Sequence, residues 1–288
     1  MAVDGAKTPT PSPHRRPVCA VGHYVGSRRH GDGRRRSRAR GAPLAIEVPL
    51  SGGNITNGVV RVGDTVRRPR RESSSFIERL LRHLERVGFE GAPRWLGVDE
   101  QGRDMFSYVP GRVATEDDPF SDPQVTAAGR LLRTLHDATR GSALAGEQET
   151  VCHGDAAPHN MLFGRDDLPY ALIDFDLAAP GDALDDIAYA AWLYCINSSW
   201  LRSEPLDEQA RRLRLFTDSY GLERRRRQQV IRALISRQLE FVRWADQCLG
   251  QRQASDRLRT HAARTFARCM RERAFVLANR AALERELR

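Results

Sequence analysis

Asp155 and Asn160 stand five residues apart in His153-Gly-Asp-Ala-Ala-Pro-His-Asn160, and an apolar run, Tyr170-Ala-Leu-Ile, then leads into a second aspartate, Asp174. Those residue types in that order suit phosphoryl transfer. The reaction asks for a carboxylate to orient a hydroxyl and accept its proton, and for oxygen ligands to hold Mg2+. Asp155 is placed for the first task, Asn160 and Asp174 for the second. A transition-metal site of His153, Asp155 and His159 is the competing chemistry, since imidazole and carboxylate bind zinc. It leaves Asn160 and the following Ile-Asp-Phe-Asp176 without a purpose.

Such residues work only when flanking elements hold them still. Strands are expected near 150–153, 161–163 and 170–174, so that the loop and the second aspartate meet at neighbouring strand ends. Upstream, residues 44–50 and 58–62 read as strands, Gly63-Asp64 as a tight turn and 65–68 as a third strand. Phe76, Ile77, Leu80, Leu81, Leu84 and Val87 recur at helical spacing before Gly88, and two more strands follow near 94–98 and 105–109. Asp122-Pro123 reads as the N-cap and first turn of a helix lined by Val125, Ala128, Leu131, Leu132 and Leu135. From Ala183 onward the pattern is helical, the longest helix carrying Val230, Ile231, Leu234, Ile235, Phe241 and Val242, with Gly250 after its end.

The D-x-x-x-x-N spacing equals that of the protein-kinase catalytic loop, and Asp174-Phe175 matches the start of its metal-binding D-F-G. More closely, the stretch resembles the aminoglycoside phosphotransferase family. The family's HGDxxxxN stands here as His153–Asn160, its IDxD as Ile173-Asp-Phe-Asp176, and its later D-[IVL]-A as Asp186-Ile-Ala188. The resemblance covers roughly residues 44–288, with specific motifs only in 151–188. It implies an α+β, two-lobed protein-kinase-like fold, with a small β-rich nucleotide-binding lobe at 44–107 and a larger, mostly helical catalytic and acceptor-binding lobe at 108–288; residues 1–43, outside the resemblance, read from their composition as a basic, disordered tail. It implies ATP and Mg2+ as cofactors and a small hydroxyl compound, an antibiotic or a metabolite, as acceptor. Carried onto this chain, Asp155 is the catalytic base and Asn160 and Asp174 are the Mg2+ ligands. Asp186 braces the loop through backbone hydrogen bonds, and His153 packs beneath it. Asp176 is a further metal or water ligand.

The nucleotide side departs from the pattern. Gly52 and Gly53, in the loop between the first two strands, lie where glycines let backbone amides approach phosphate oxygens, though a plain hairpin loop has the same composition. The third strand should carry a lysine for the α- and β-phosphates, but Lys7 is the only lysine in the chain. Arg68 stands in its place, with Arg67 on the opposite face. Arginine is always charged and binds phosphate bidentately, but its fork is longer and planar. Glu78 is the nearest helix partner for that cation, or else a surface carboxylate. Ser107, Tyr108 and Val109 are the expected hinge that reads the adenine edge, within a pocket between the lobes.

The net charge of +9 is unevenly spread. Residues 1–43 carry 10 basic and 2 acidic side chains, residues 44–186 carry 15 and 24, and residues 187–288 carry 21 and 11. The catalytic half is therefore acidic. A basic acceptor-side lobe disfavours a polycationic acceptor, and the tail is too poor in apolar residues to order itself by burial. Five scattered cysteines without a CxxC fit reduced thiols in a cytoplasm, and no apolar run is long enough for a membrane span. Two other functions compete. The missing lysine suits a nucleotide-binding, pseudokinase-like immunity or binding protein with little turnover. The pI of 9.9 suits nucleic-acid binding, but no base-stacking pattern or helix-turn-helix accompanies it, and nucleic acid is not an expected partner.

Overall fold

Short strands rich in β-branched residues pair at the start of the chain. The computed structural model describes residues 46–50, 58–115, 118–196, 204–251 and 253–288. Within them, β1 (Glu47–Pro49), β2 (Val60–Val62), β3 (Thr65–Pro69), β4 (Trp95–Val98) and β5 (Arg103–Ser107) form an antiparallel sheet in the order β1-β2-β3-β5-β4. Arg103 ties its edge together, donating to Glu47 at 2.7 Å and to Asp99 at 2.8 Å. Helix α1 (Ser74–Arg86) buries Ile77, Leu80, Leu81 and Leu84, the positions at which its apolar residues recur.

The second part is built around helices. Helix α2 (Asp122–Thr139) is apolar along Val125, Ala128, Leu132 and Leu135. Its N-cap is Ser121, not Asp122. Gln124 Oε1 accepts from the Ser121 amide at 2.8 Å and closes a capping box, which leaves Asp122 as the first helical residue, paired with Arg211 at 2.8 Å. Strands β6 (Arg112–Val113), β8 (Met161–Phe163) and β9 (Pro169–Leu172) make one small sheet, and β7 (Thr150–Cys152) pairs with β10 (Ala179–Gly181). The two-residue β6 and the three-residue β10 lie where the sequence pattern assigns no element.

Beyond an acidic first turn, helix α3 (Ala183–Cys195) is apolar on nearly every side and buried accordingly, with Ile187, Ala188, Ala190, Ala191 and Trp192 inside. Around it lie α4 (Leu206–Tyr220), the single turn α5 (Arg224–Arg227), α6 (Val230–Gly250), α7 (Asp256–Ala278) and α8 (Arg280–Glu286). The longest helix is α7, at 23 residues, rather than α6 at 21, and Gly250 ends α6 rather than following it. Among the described residues, two of the four arginines of α5 are paired. Arg226 pairs with Asp182 at 2.5 Å and Glu149 at 2.9 Å, and Arg227 pairs with Asp218.

One continuous core runs from α1 through α2, α3, α4 and the start of α6, and a smaller cluster of Ala245, Cys248 and Ala262 joins α6 to α7. The result is an α+β fold with a small antiparallel-sheet lobe and a helical lobe. Among the described residues no helix is long and apolar enough to cross a membrane. Cys152, Cys195, Cys248 and Cys269 are buried and are not joined in disulfides.

Candidate active site

The loop after β7 is shaped by one glycine. Gly154 has φ +79°, and a Cβ there would lie 2.3 Å from the Leu177 carbonyl oxygen, so the loop can lie against the turn after Asp174 only without a side chain. Asp186, in the first turn of α3, holds the same segment from behind. Its carboxylate accepts from the His153 amide at 2.6 Å and the Gly154 amide at 2.9 Å. The His136 Nε2 adds a third contact at 3.1 Å, while His136 Nδ1 meets the Tyr220 hydroxyl at 2.8 Å. Burial opposes ionisation of Asp186, but the His136 ring and the donated amides outweigh it and hold the carboxyl below its usual value.

His153 is fully buried and spans two segments. Its Nδ1 accepts from the Asp155 amide at 3.3 Å, so Nε2 carries the proton and donates to the Ile173 carbonyl at 3.0 Å. The ring tilts over Phe175 at 4.6 Å. This one side chain thus links the Asp155 loop to the strand that delivers Asp174.

Asp155 and Asn160 close on each other. Asn160 Nδ2 donates to Asp155 Oδ2 at 2.9 Å and to the Asp155 carbonyl at 3.0 Å, which directs the amide oxygen elsewhere. Met161 pairs with Leu172 across β8 and β9, and the Ile173 amide donates to the Asn160 carbonyl at 2.9 Å, so Asp174 emerges one residue beyond Asn160's neighbour. Asp174 adopts the left-handed region, φ 64° and ψ 62°, uncommon outside glycine and tolerated best by Asp and Asn. Its side chain is 41% exposed, yet the protein around it removes enough water to push the carboxyl upward, and the Asp176 carboxylate adds to that while Arg68 opposes it.

The donor set fits a hard divalent cation. It offers the Asp174 carboxylate, an Asn160 amide oxygen not used as an acceptor within the loop, and no sulfur or imidazole nitrogen; His153 has both ring nitrogens committed. Asp174, pushed upward first by burial and then by the Asp176 carboxylate two residues on, would be relieved by such a charge. A separate buried trio, His136, Cys152 and Asp186, is close enough for a metal, but His136 and Asp186 are bonded to each other and Cys152 Sγ is turned to the Asp182 carbonyl at 3.2 Å.

Two residues that the sequence did not single out stand beside the Asp155 loop. Tyr189, from the second turn of α3, is buried near the Asp155 carboxylate, and burial first, then the charge of that carboxylate, drives its pKa far upward, so the hydroxyl keeps its proton. Arg237 of α6 donates to the Gly154 carbonyl and lies 4.9 Å from the ring centroids of both Tyr189 and Phe241. Tyr189 follows Asp186 by three positions on one helix, a spacing readable once the helix is assigned. Nothing local in the sequence marks Arg237.

The nucleotide-side residues are placed less uniformly. Arg68, 8% exposed on β3, reaches across to Asp176 at 2.5 Å and Asp174 at 3.4 Å. Glu78 does not meet it: Glu78 pairs with Arg82 at 3.3 Å along α1, as neighbours four apart on a helix do. Arg67, on the other face of β3, pairs with Asp99 at 3.6 Å. At the expected hinge, β5 ends at Ser107 rather than continuing to Val109. The Ser107 amide donates to the Arg94 carbonyl and the Tyr108 amide to the Asp64 carbonyl, both at 2.8 Å, so neither is available to a base edge; among the described residues Val109 has no such bond. Gly52 and Gly53 lie outside the described residues. A groove of about 600 Å³ beside Pro123, Thr126, Ala127, Leu168 and Leu215 contains none of the site residues.

Residues 140–228 match the model of the phosphotransferase enzyme family. The chain is 34% identical over 215 residues to the trifolitoxin immunity protein of Rhizobium leguminosarum bv. trifolii, a match covering 66% of this chain and 80% of that protein. Among solved structures it is similar to a choline/ethanolamine kinase family protein from Mesorhizobium loti, with a TM-score of 0.59 at 19% identity, covering 84% of this chain and 92% of that one. It is also similar to spectinomycin phosphotransferase APH(9)-Ia in complex with ADP and spectinomycin, with a TM-score of 0.52 at 10% identity, covering 77% and 88%. At these identities the structures speak for the shared fold.

Proposed function

The chain belongs to the phosphotransferase enzyme family, and on that premise we propose that it transfers the γ-phosphoryl group of Mg-ATP to a hydroxyl of a small acceptor, an antibiotic or a metabolite. The observation that carries the reading is the closed Asp155–Asn160 pair with Asp174 beside it. In this reading Asp155 orients the acceptor hydroxyl and takes its proton. Asn160 holds the Asp155 carboxylate in place, so little reorganisation remains for the reaction. Asn160 and Asp174 would hold the cation, which when bound supplies neutralisation of charge on the phosphates. Arg68 would hold phosphate oxygens, and Val109 is the hinge residue whose backbone is left to meet the base. Kinase-like neighbours include one solved with ADP, which supports a nucleotide in this cleft.

The test is ADP release with a panel of hydroxylated antibiotics and metabolites, followed by Asp155→Asn on whichever acceptor responds. Loss of a positioned general base costs on the order of 10²–10⁴ in kcat. A variant as active as the parent would remove the mechanism.

A second reading has its own support. The similarity to an immunity protein and the arginine at the lysine position both suit a chain that binds Mg-ATP and turns it over little or not at all. Stabilisation by Mg-ATP in thermal denaturation, without transfer to any member of the panel, would favour it.

A further inference from the structure

Resting on the reading of Arg68 as the phosphate-holding cation, we propose that Asp176, not a carboxylate of α1, is the residue that positions it. A strand cation that must meet phosphates needs a fixed carboxylate, or its side chain spends itself on solvent and on many rotamers. Glu78 cannot serve as it stands, being engaged by Arg82 at 3.3 Å. The carboxylate that does reach Arg68 is on the turn after β9, where Asp176 Oδ1 lies 2.5 Å from Arg68 Nη1.

Three features argue that this is a built arrangement. Asp176 and Arg68 have side chains only 14% and 10% exposed, so their contact is shielded from water. Arg71 Nη1 takes the other oxygen, Asp176 Oδ2, at 3.4 Å, so the carboxylate is held from both sides. The Arg68 guanidinium also lies 4.9 Å from the Phe106 ring centroid, which limits its swing. Anchored through Nη1, Arg68 has its Nε buried and without an acceptor among the described residues, so Nη1 and Nη2 at the tip of the fork are the groups left to meet a ligand.

The length of arginine gives the physical reason. An ammonium on β3 is a compact charge that a helix carboxylate can hold, whereas the longer planar fork extends past α1 to the aspartates after β9. Asp176, neutralised between two arginines, is then a positioning residue rather than a cation ligand, and Asp174 keeps the cation role.

The test is calorimetric binding of ATP to the full chain, in EDTA and again with Mg2+, for the wild type, Asp176→Asn, Asp176→Glu and Glu78→Gln. Asp176→Asn should weaken both forms of ATP by roughly ten- to a hundredfold, the lower part of the range for a close, shielded charge pair. Asp176→Glu should recover most of the loss, and Glu78→Gln should bind as the wild type. In a double-mutant cycle, Arg68→Gln should cost little more on the Asp176→Asn background. Independently of these variants, the Arg68 Nε–H resonance should shift when ATP is added in EDTA. A loss confined to Mg-ATP would make Asp176 a cation ligand; equal or tighter ATP binding by Asp176→Asn would mean that Asp176 restrains Arg68 instead of aiming it. Either result, or sensitivity to Glu78→Gln alone, overturns the assignment. A wild type that binds neither form removes the nucleotide site itself, and this assignment with it.

Discussion

Asp186 accepts from two backbone amides and a histidine ring while 2% exposed, and a buried carboxylate is tolerated only because each oxygen is paid back in hydrogen bonds. Replacing it with Asn puts an NH2 group where a lone pair was, so one loop amide loses its acceptor. An unsatisfied buried donor costs about 1–3 kcal/mol, and Asp186→Asn should lower unfolding free energy by that order in urea denaturation. The pH dependence has a definite sign. The folded carboxyl lies below its ordinary value of 3.8, so its contribution is complete above that value and is lost as pH falls through the folded value. The stability difference between parent and Asp186→Asn should therefore stay flat above about pH 5 and shrink on acidification below about 4. A difference that grows on acidification would contradict the assignment of Asp186 as an ionised brace.

At the scale of elements, the site is a junction of three pieces: the β7 loop, the β8–β9 hairpin and the start of α3. Gly154 is where they approach most closely, and Gly154→Ala brings a methyl against the Leu177 carbonyl at a backbone angle that side chains rarely adopt. The loop must shift, and Asp155 with it. A shift of about 1 Å in a positioned group costs on the order of a hundredfold in rate, so Gly154→Ala should lose turnover while retaining most of its helical circular dichroism. Much of this junction was legible in sequence because its information is local: a D-x-x-x-x-N loop, a short apolar strand, an acidic helix start. The Ser121 cap was legible too, since Ser-x-x-Gln ahead of an apolar run is a capping-box signature that outranks Asp122-Pro123. What the sequence hid is long-range. The Arg68–Asp176 contact joins residues 108 positions apart, and neither helical periodicity nor strand alternation says which of several acids an arginine will reach. Strand ends were hidden for the same reason, since β6 and β10 exist only through partners far along the chain.

At the scale of the whole molecule, charge is partitioned rather than averaged. Residues 44–288 carry 36 basic and 35 acidic side chains, so removing residues 1–43 takes the formal net charge from +9 to about +1. The acidic excess lies in the segment that holds Asp155, Asn160 and Asp174, and the basic helices partly spend their charge internally: Arg226 on Asp182 and Glu149, Arg211 on Asp122, Arg268 on Glu272. Non-specific attraction to polyanions should therefore reside in the first 43 residues. A chain lacking them should bind duplex DNA far more weakly at low salt, with a correspondingly flatter dependence of affinity on salt. Its stabilisation by Mg-ATP should be unchanged, because none of the residues assigned to the nucleotide site lies in that segment. The outcome to look for against this is steep, salt-sensitive DNA binding that survives the deletion. It would point to the exposed arginines of α7, where Arg257, Arg264 and Arg271 recur every seven residues along one helix face.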